Sequence, residues 1–267
     1  MVFLRRKEIK FLMLEKSSTE QSLFNILIAD YSLTDLISFI ANTIYSGQKV
    51  HIITLNPEMV ARQVVDEKFR QALNSAELRI ADGNGILIAA RMLGKTIHHR
   101  IPGVELVEGL LKVGQKRGWS FYFLGSSQEV ITRLVNILTK QSPKICISGF
   151  HHGYFQDSLP IIEDINRLKP DILLVGLGSP QQELWIYQNR HSLSTSIMVG
   201  VGGSFDVLCG DKKRAPELLR RMKLEWLYRI VYEPRRLKRV VPAFLRFGWM
   251  ILEEKIKVNG IMNKRRN

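Results

Sequence analysis

Cysteine is scarce. Cys146 and Cys209 are the only two in 267 residues, too few for a disulfide framework and at no metal-ligand spacing. A reducing compartment is the default for such a chain. No apolar run approaches the roughly 18 to 20 residues a membrane-spanning helix needs. The opening stretch MVFLRRKEIKFLMLEKSS interrupts its apolar residues with Arg5, Arg6, Lys7, Glu8 and Lys10, which fits neither a signal-peptide core nor a span. Residues 1–22 therefore read as a poorly constrained leader or a short surface helix. There is no internal repeat and no low-complexity linker. Glycine is missing where a dinucleotide enzyme needs it: the first expected strand, Phe24–Ala29, runs into Asp30–Tyr31–Ser32 with no G-x-G-x-x-G. That absence tells against an NAD(P)-type Rossmann oxidoreductase.

What is present is an ordinary globular composition, 45% hydrophobic and 24% charged, with an uneven charge. The net charge is +14, and the 57 residues from Asp211 to Asn267 carry 17 Lys/Arg against 6 Asp/Glu. The preceding 210 residues are almost balanced. A near-neutral body with a basic tail implies an anionic partner for the tail. Trp226, Tyr228, Tyr232, Phe244, Phe247 and Trp249 in that tail tell against a merely solvated extension.

Apolar runs of strand length alternate with helix-length intervals. Phe24–Ala29, Lys49–Thr54, Leu78–Ala81, Trp119–Leu124, Lys144–Ser148, Ile172–Val175 and Ile197–Val201 read as strands; Leu33–Tyr45, Val104–Lys116, Gln128–Lys140 and Leu159–Leu168 read as helices. The connections are short, so residues 23–210 are expected to form an α/β domain: a Rossmann-like open, mostly parallel sheet with helices on both faces. The stretch Pro170–Asp206 is the clearest βαβ unit, with Gly176, Gly178, Gly200, Gly202 and Gly203 just after its strands. In an open α/β sheet that edge is where ligands bind.

Other strand ends carry polar groups. Thr54 and Asn56 follow the second strand, with Pro57 suited to the first turn of a helix. Asn56 can serve as an N-cap, as a ligand contact, or both. Asp82 stands between a strand and Gly83–Asn84–Gly85, where it either caps the next helix or faces a substrate that the glycines admit. Gly125 closes another strand. His98 and His99 lack a third ligand nearby and read as surface or anion-facing beside Arg100.

Residues 211–267 read as a basic helical appendage. Glu217–Tyr232 and Arg235–Glu254 are expected helices, the second kinked or broken at Pro242. Leu237, Val240, Val241, Phe244, Leu245, Gly248 and Trp249 share one side of it, with basic residues on the flanks. That pattern suits an anionic membrane surface; packing on the domain is the other reading. A non-enzymatic nucleic-acid binder would show affinity falling steeply with salt and leaves the glycine-rich strand ends without a purpose. Binding to anionic liposomes but not to duplex DNA separates the two.

Six motifs in register sharpen this: NPEMV (56–60), ADGNGILIAARMLG (81–94), RIPG (100–103), PDILLVGLGSPQQELWI (170–186), VGGSFDVLCGDKKRAP (201–216) and LEWLYRIVYEPRRLKR (224–239). In combination they resemble the WecB/TagA/CpsF glycosyltransferase family, glycosyltransferase family 26, over about residues 24–245. The resemblance implies an inverting transfer from a UDP-sugar to a polyprenol-diphosphate-linked sugar, at the inner face of the cell membrane, with no metal or other cofactor. The sugar would be of the N-acetylmannosamine type or a related hexose or uronic acid. The products would be intermediates of teichoic acid, capsule, exopolysaccharide or common antigen. The protein would be cytoplasmic and peripheral on the membrane, with homo-oligomerisation an option off it and nucleic acid not among its partners.

Such a reaction needs a base for the acceptor hydroxyl and positive or hydrogen-bonding groups for the departing diphosphate. The resemblance assigns Asp82 as base or as electrostatic stabiliser. Thr54, Asn56, Asn84, Gln182, Glu183 and Asp206, with Gly125, Gly176 and Gly178, become substrate contacts. Arg100, Arg214, Arg229, Arg236 and Arg239 become the diphosphate candidates, because a guanidinium fork can bond two oxygens. Three departures from the family pattern are visible: Ala81 where proline is frequent, Asn84 where a bulkier apolar residue is frequent, and Gln181 where Lys or Arg is common. They bear on which sugar is taken and on phosphate contacts.

Overall fold

Seven β-branched or aromatic runs become strands, and an eighth strand precedes them. The computed structural model describes residues 20–212, 215–217, 219, 228, 232 and 237–264. In chain order the elements are β1 (Glu20–Leu23), β2 (Ile26–Ala29), α1 (Leu33–Tyr45), β3 (Val50–Leu55), α2 (Pro57–Arg62), α3 (Glu67–Ser75), β4 (Leu78–Ala81), α4 (Asn84–Met92), α5 (Gly103–Arg117), β5 (Ser120–Gly125), α6 (Gln128–Gln141), β6 (Cys146–His151), α7 (Leu159–Leu168), β7 (Ile172–Gly176), α8 (Gln181–Asn189), β8 (Ile197–Gly200), α9 (Ser204–Leu208) and α10 (Leu237–Lys264). The sheet runs β1-β2-β4-β3-β8-β7-β5-β6. Every pairing is parallel except β1 with β2. This is the expected Rossmann-like α/β architecture.

The inner strands β3, β4, β5, β7 and β8 are buried on both faces, as parallel strands between helix layers must be. Ile52, Phe121, Phe123, Ile172 and Leu174 pack on one face with α1, α5, α6 and α9. On the opposite face Ile53 and Leu55 pack with α2, α3, α4 and α10, and Tyr122, Leu173 and Val175 with α7 and α8. The chain first winds from β3 to β4 toward one edge, then crosses to build β5 through β8. Its two halves meet where β3 pairs with β8. The carboxyl ends of β3, β4, β7 and β8 open onto one side there, at the switch point that favours ligand binding.

Two expectations change. Three of the four residues of β1 fall inside the stretch read as leader; the hairpin to β2 turns at Phe24 and Asn25, with φ of 53° and 62°. A tight turn with two positive φ values normally carries Asn-Gly or Asp-Gly, so Phe-Asn conceals it. The second change is in the tail: α10 runs unbroken through Pro242. That proline stands in the second turn, and buried Ala243, Phe247 and Ile251 just beyond it hold the helix on the body. Phe247 meets Phe24 edge to face at 5.5 Å. The expected helix 217–232 lies largely outside the described residues, as does 1–19 of the leader. No described helix is long and apolar enough to cross a membrane.

Candidate active site

A cleft of about 540 Å³ opens at the strand ends. Its wall includes Thr54 and Asn56 after β3, Asp82 and Asn84 after β4, and Arg100 before α5. Gly178 and Gln182 enter from the β7–α8 turn, and Arg239 from α10. Eight of the residues singled out in the sequence therefore converge on one cavity. Among the described residues no three His, Cys, Asp or Glu side chains stand close enough to hold a metal ion.

Each position has a local cause. The Asn56 side chain accepts from Met59 N at 3.1 Å, capping α2, while the residue also lines the cleft. The capping reading of Asn56 holds, and the cap uses only Oδ1 of the amide. The Thr54 hydroxyl donates to the Gly200 carbonyl at 3.2 Å, tying β3 to β8 directly beneath the cavity. Asp82 leaves β4 with its N–H on the Leu55 carbonyl at 2.9 Å, which fixes the turn beside Asn56.

The glycines flanking Asn84 line the cleft and have a packing purpose besides. A Cβ on Gly85 would lie 2.5 Å from Pro57 Cγ, and one on Gly83 would lie 3.0 Å from Pro57 Cδ. They admit the proline of α2, so that α2 and α4 start side by side with Asn56 and Asp82 at adjacent helix entries. Gly125 and Gly176 are likewise packing glycines: a Cβ on Gly125 would lie 2.5 Å from the Gly176 carbonyl group, and one on Gly176 would lie 2.8 Å from the Phe205 ring. These two residues, with Asp206, surround Ser126 rather than lining the cleft. Ser126 donates from its N–H to Gly176 O at 3.2 Å and from its hydroxyl to Asp206 at 3.3 Å. Asp206 also pairs with Lys212 at 3.6 Å. This group adjoins the cleft through Gly202.

Arg100 is carried on a clamped loop. The Asp30 carboxylate, 3% exposed, accepts the backbone N–H groups of His98 and His99 at 2.9 and 2.8 Å. It also takes their Nδ1 atoms at 2.8 and 2.9 Å, so both rings face it with Nδ1–H. Burial alone would raise the Asp30 carboxyl, but these four hydrogen bonds outweigh it and hold the group below the ordinary carboxylate range. The two histidines lie at the surface, as expected, and anchor the loop through the Asp30 carboxylate. Ile101 N–H then bonds Ala81 O at 2.8 Å, which brings Arg100 alongside the Asp82 turn.

One participant escaped the sequence reading. Glu58, on the first turn of α2, lines the cleft and holds Arg239 Nε at 2.6 Å. Only the return of α10 across the body joins them, so no local signal could have paired the two. Val240 and Phe244 of the same helix add apolar wall beside Ile88. Arg214, Arg229 and Arg236 lie outside the described residues. Glu183 stands behind the wall, 1% exposed.

A family model described as Glycosyl transferase WecG/TagA/CpsF matches residues 21–260. The chain belongs to this family. The WecG/TagA/CpsF member is thus a glycosyltransferase, and its cleft is the candidate transfer site. It is 33% identical over 239 residues to the N-acetylglucosaminyldiphosphoundecaprenol N-acetyl-beta-D-mannosaminyltransferase of Staphylococcus aureus strain NCTC 8325 / PS 47, covering 86% of this chain and 93% of that protein. The protein of the same description in strain MRSA252 shows the same identity and coverage.

Proposed function

We propose that this glycosyltransferase moves an N-acetylmannosamine-type sugar, or a related hexose or uronic acid, from a UDP-sugar to a polyprenol-diphosphate-linked sugar. The convergence of Asp82, Asn56, Thr54 and Gln182 with two arginines in one cleft carries the reading. Asp82 takes the proton from the acceptor hydroxyl as it attacks the anomeric carbon, and the sugar–phosphate bond breaks with inversion. Arg100 and the N–H groups at the Gly178 turn, where α8 begins, receive the developing diphosphate charge. Arg239 approaches from α10, on the side where a lipid-linked diphosphate enters. No step calls for a metal ion. The names of the staphylococcal relatives support the acceptor class.

The rest of α10 supports a membrane-borne acceptor. Val241, Leu245, Trp249, Leu252 and Ile256 form an exposed stripe at helical spacing, with Leu245 and Ile256 each 71% exposed. Lys238 and Arg246 are exposed on the same helix. An apolar stripe with basic flanks suits the anionic inner face of the cell membrane, where intermediates of cell-surface polysaccharide are built. The deciding experiment pairs purified protein with a polyprenol-diphosphate-sugar acceptor and a panel of UDP-sugars. Asp82→Asn should lower kcat by at least about 100-fold, the lower end for a general base, with UDP affinity retained. Turnover at the wild-type rate would remove Asp82 from the chemistry.

A further inference from the structure

Glu183 occupies the first turn of α8 with its carboxyl directed into the protein. Its Oε1 accepts from Gln182 Nε2 at 2.7 Å, and its Oε2 has no hydrogen-bond partner among the described residues. Gln182 in turn accepts the Gly202 N–H on its own Oε1 at 2.9 Å. The Gln182 amide is therefore held from both ends, by an acceptor at its nitrogen and a donor at its oxygen. Flipping it would set N–H against N–H and oxygen against oxygen. One Nε2 proton goes to Glu183, and the other is what Gln182 has to offer the cleft it lines.

The neighbourhood is shaped for this pair. A Cβ on Gly200 would lie 2.6 Å from Gln182 Nε2 and 3.1 Å from Glu183 Oε1, so only glycine leaves them room against β8. Burial pushes the Glu183 carboxyl up, against the opposing pull of the Gln182 amide, the Ser179 hydroxyl, its own N–H and the charge of Arg62. A buried carboxyl with an unmatched oxygen costs stability, and a methionine or leucine of similar length would fill the same space without that cost. Departures of this kind from stability collect at functional sites.

We propose that Glu183 is a positioning residue of the transfer site. Its Oε1 fixes the orientation in which Gln182 presents an amide N–H to substrate and holds the Gly202 turn. The inference rests on the glycosyl-transfer reading of the cleft. Glu183 touches no substrate; it acts through Gln182.

The test compares wild type, Glu183→Met, Glu183→Gln, Gln182→Ala and the double variant Gln182→Ala/Glu183→Met. Four outcomes are expected. Glu183→Met loses roughly 30-fold in kcat/KM for the donor, within the range that misplacing a site group produces. Its Tm is unchanged or higher. Glu183→Gln, which keeps an acceptor for the Gln182 amide, stays within about threefold of wild type. The double variant is no worse than Gln182→Ala, as a residue acting through its neighbour requires.

Wild-type kcat/KM in Glu183→Met would overturn the proposal. So would a loss accompanied by a fallen Tm, equal damage in Glu183→Gln, or additive losses in the double variant. If the wild type transfers no sugar at all, the functional reading fails separately. Hydrogen exchange then decides for Glu183: Glu183→Met should speed exchange at Gly202–Gly203 while Glu183→Gln leaves it slow, and unchanged exchange in Glu183→Met refutes the coupling.

Discussion

His51 makes the fold acid-sensitive in a way that can be worked out. It lies in β3 with 0% exposure, and neither ring nitrogen has a partner among the described residues. Burial, helped by the charges of Arg190 and Arg79, pushes its pKa from 6.5 down to about 3. Glu77, the nearby carboxylate, is already occupied: it accepts the His51 backbone N–H at 2.9 Å and pairs with Arg190. The folded protein therefore keeps this ring neutral where the unfolded chain protonates it. Between pH 6.5 and 3 the unfolded state binds the extra proton, so stability falls as pH falls and is fully present only above about pH 7. The loss amounts to about 2 kcal/mol at pH 5 and approaches about 5 kcal/mol near pH 3. His51→Leu removes the titration and two unmatched polar atoms, and should be as stable as wild type or up to about 1 kcal/mol better at pH 8. Urea unfolding followed by circular dichroism at pH 8, 7, 6 and 5 measures both proteins. Other titrating groups contribute equally to each, so the difference isolates His51. Its advantage for the variant should grow by about 2 kcal/mol from pH 7 to pH 5. Parallel stability curves would mean that the ring is hydrated or partnered, and the burial argument would fall.

Two further perturbations probe the C-terminal helix. Phe247→Ala opens the packing against Phe24 and should cost about 3 kcal/mol, or roughly 10 °C in Tm by calorimetry; a shift below about 2 °C would show that α10 is not docked through this residue. Glu58→Gln releases Arg239 from a half-exposed ion pair, so Tm should move little. In the transfer assay the freed guanidinium should lower KM for the lipid-linked diphosphate several-fold at low salt, less at high salt; a raised KM would instead mean that Glu58 aims Arg239.

Much of the fold was legible because buried parallel strands announce themselves as bounded apolar runs. Helix Leu33–Tyr45 matches its expected bounds. Its cap is Ser32, whose hydroxyl accepts from Asp35 N at 3.2 Å. The hairpin at Phe24–Asn25 was not legible, because its turn residues lack glycine. Helix Glu67–Ser75 was not singled out, for its capping Asp66 lies within a polar interval between two stronger signals. At the site, strand-end position was a sound guide for Thr54, Asn56, Asp82 and Gln182. It did not reveal that Gly83 and Gly85 also make room for Pro57, since close approach by Pro57 and by ligand look alike in one dimension. Glu58 and Asp30 depend on partners 181 and 68 to 69 residues away, which periodicity cannot reveal.

The C-terminal helix joins the two halves of this chemistry because three of its stripes do different things. Ala243, Phe247 and Ile251 bury against the body, Arg239, Val240 and Phe244 form cleft wall, and Val241, Leu245, Trp249, Leu252 and Ile256 face outward. The sequence reading placed Phe244 and Leu245 together on a single apolar side, but consecutive residues of a helix stand about 100° apart and serve different neighbours. A rod packed this way cannot shift on one side alone. A surface that engages the outer stripe therefore bears on the same rigid element that carries Arg239 to the cleft. Val241 and Leu245 of the outer stripe lie within two turns of Arg239, and Trp249, Leu252 and Ile256 continue the stripe away from the cleft. A truncation that removes α10 would expose Phe24 and Met59 from the core as well as deleting Arg239, so loss of activity in such a variant would not by itself implicate the membrane. Substitution of Leu245 and Trp249 by serine touches neither the buried stripe nor the cleft wall, so it tests the proposed membrane engagement apart from folding and catalysis: vesicle binding should fall while Tm stays within about 2 °C, and unchanged vesicle binding would refute it.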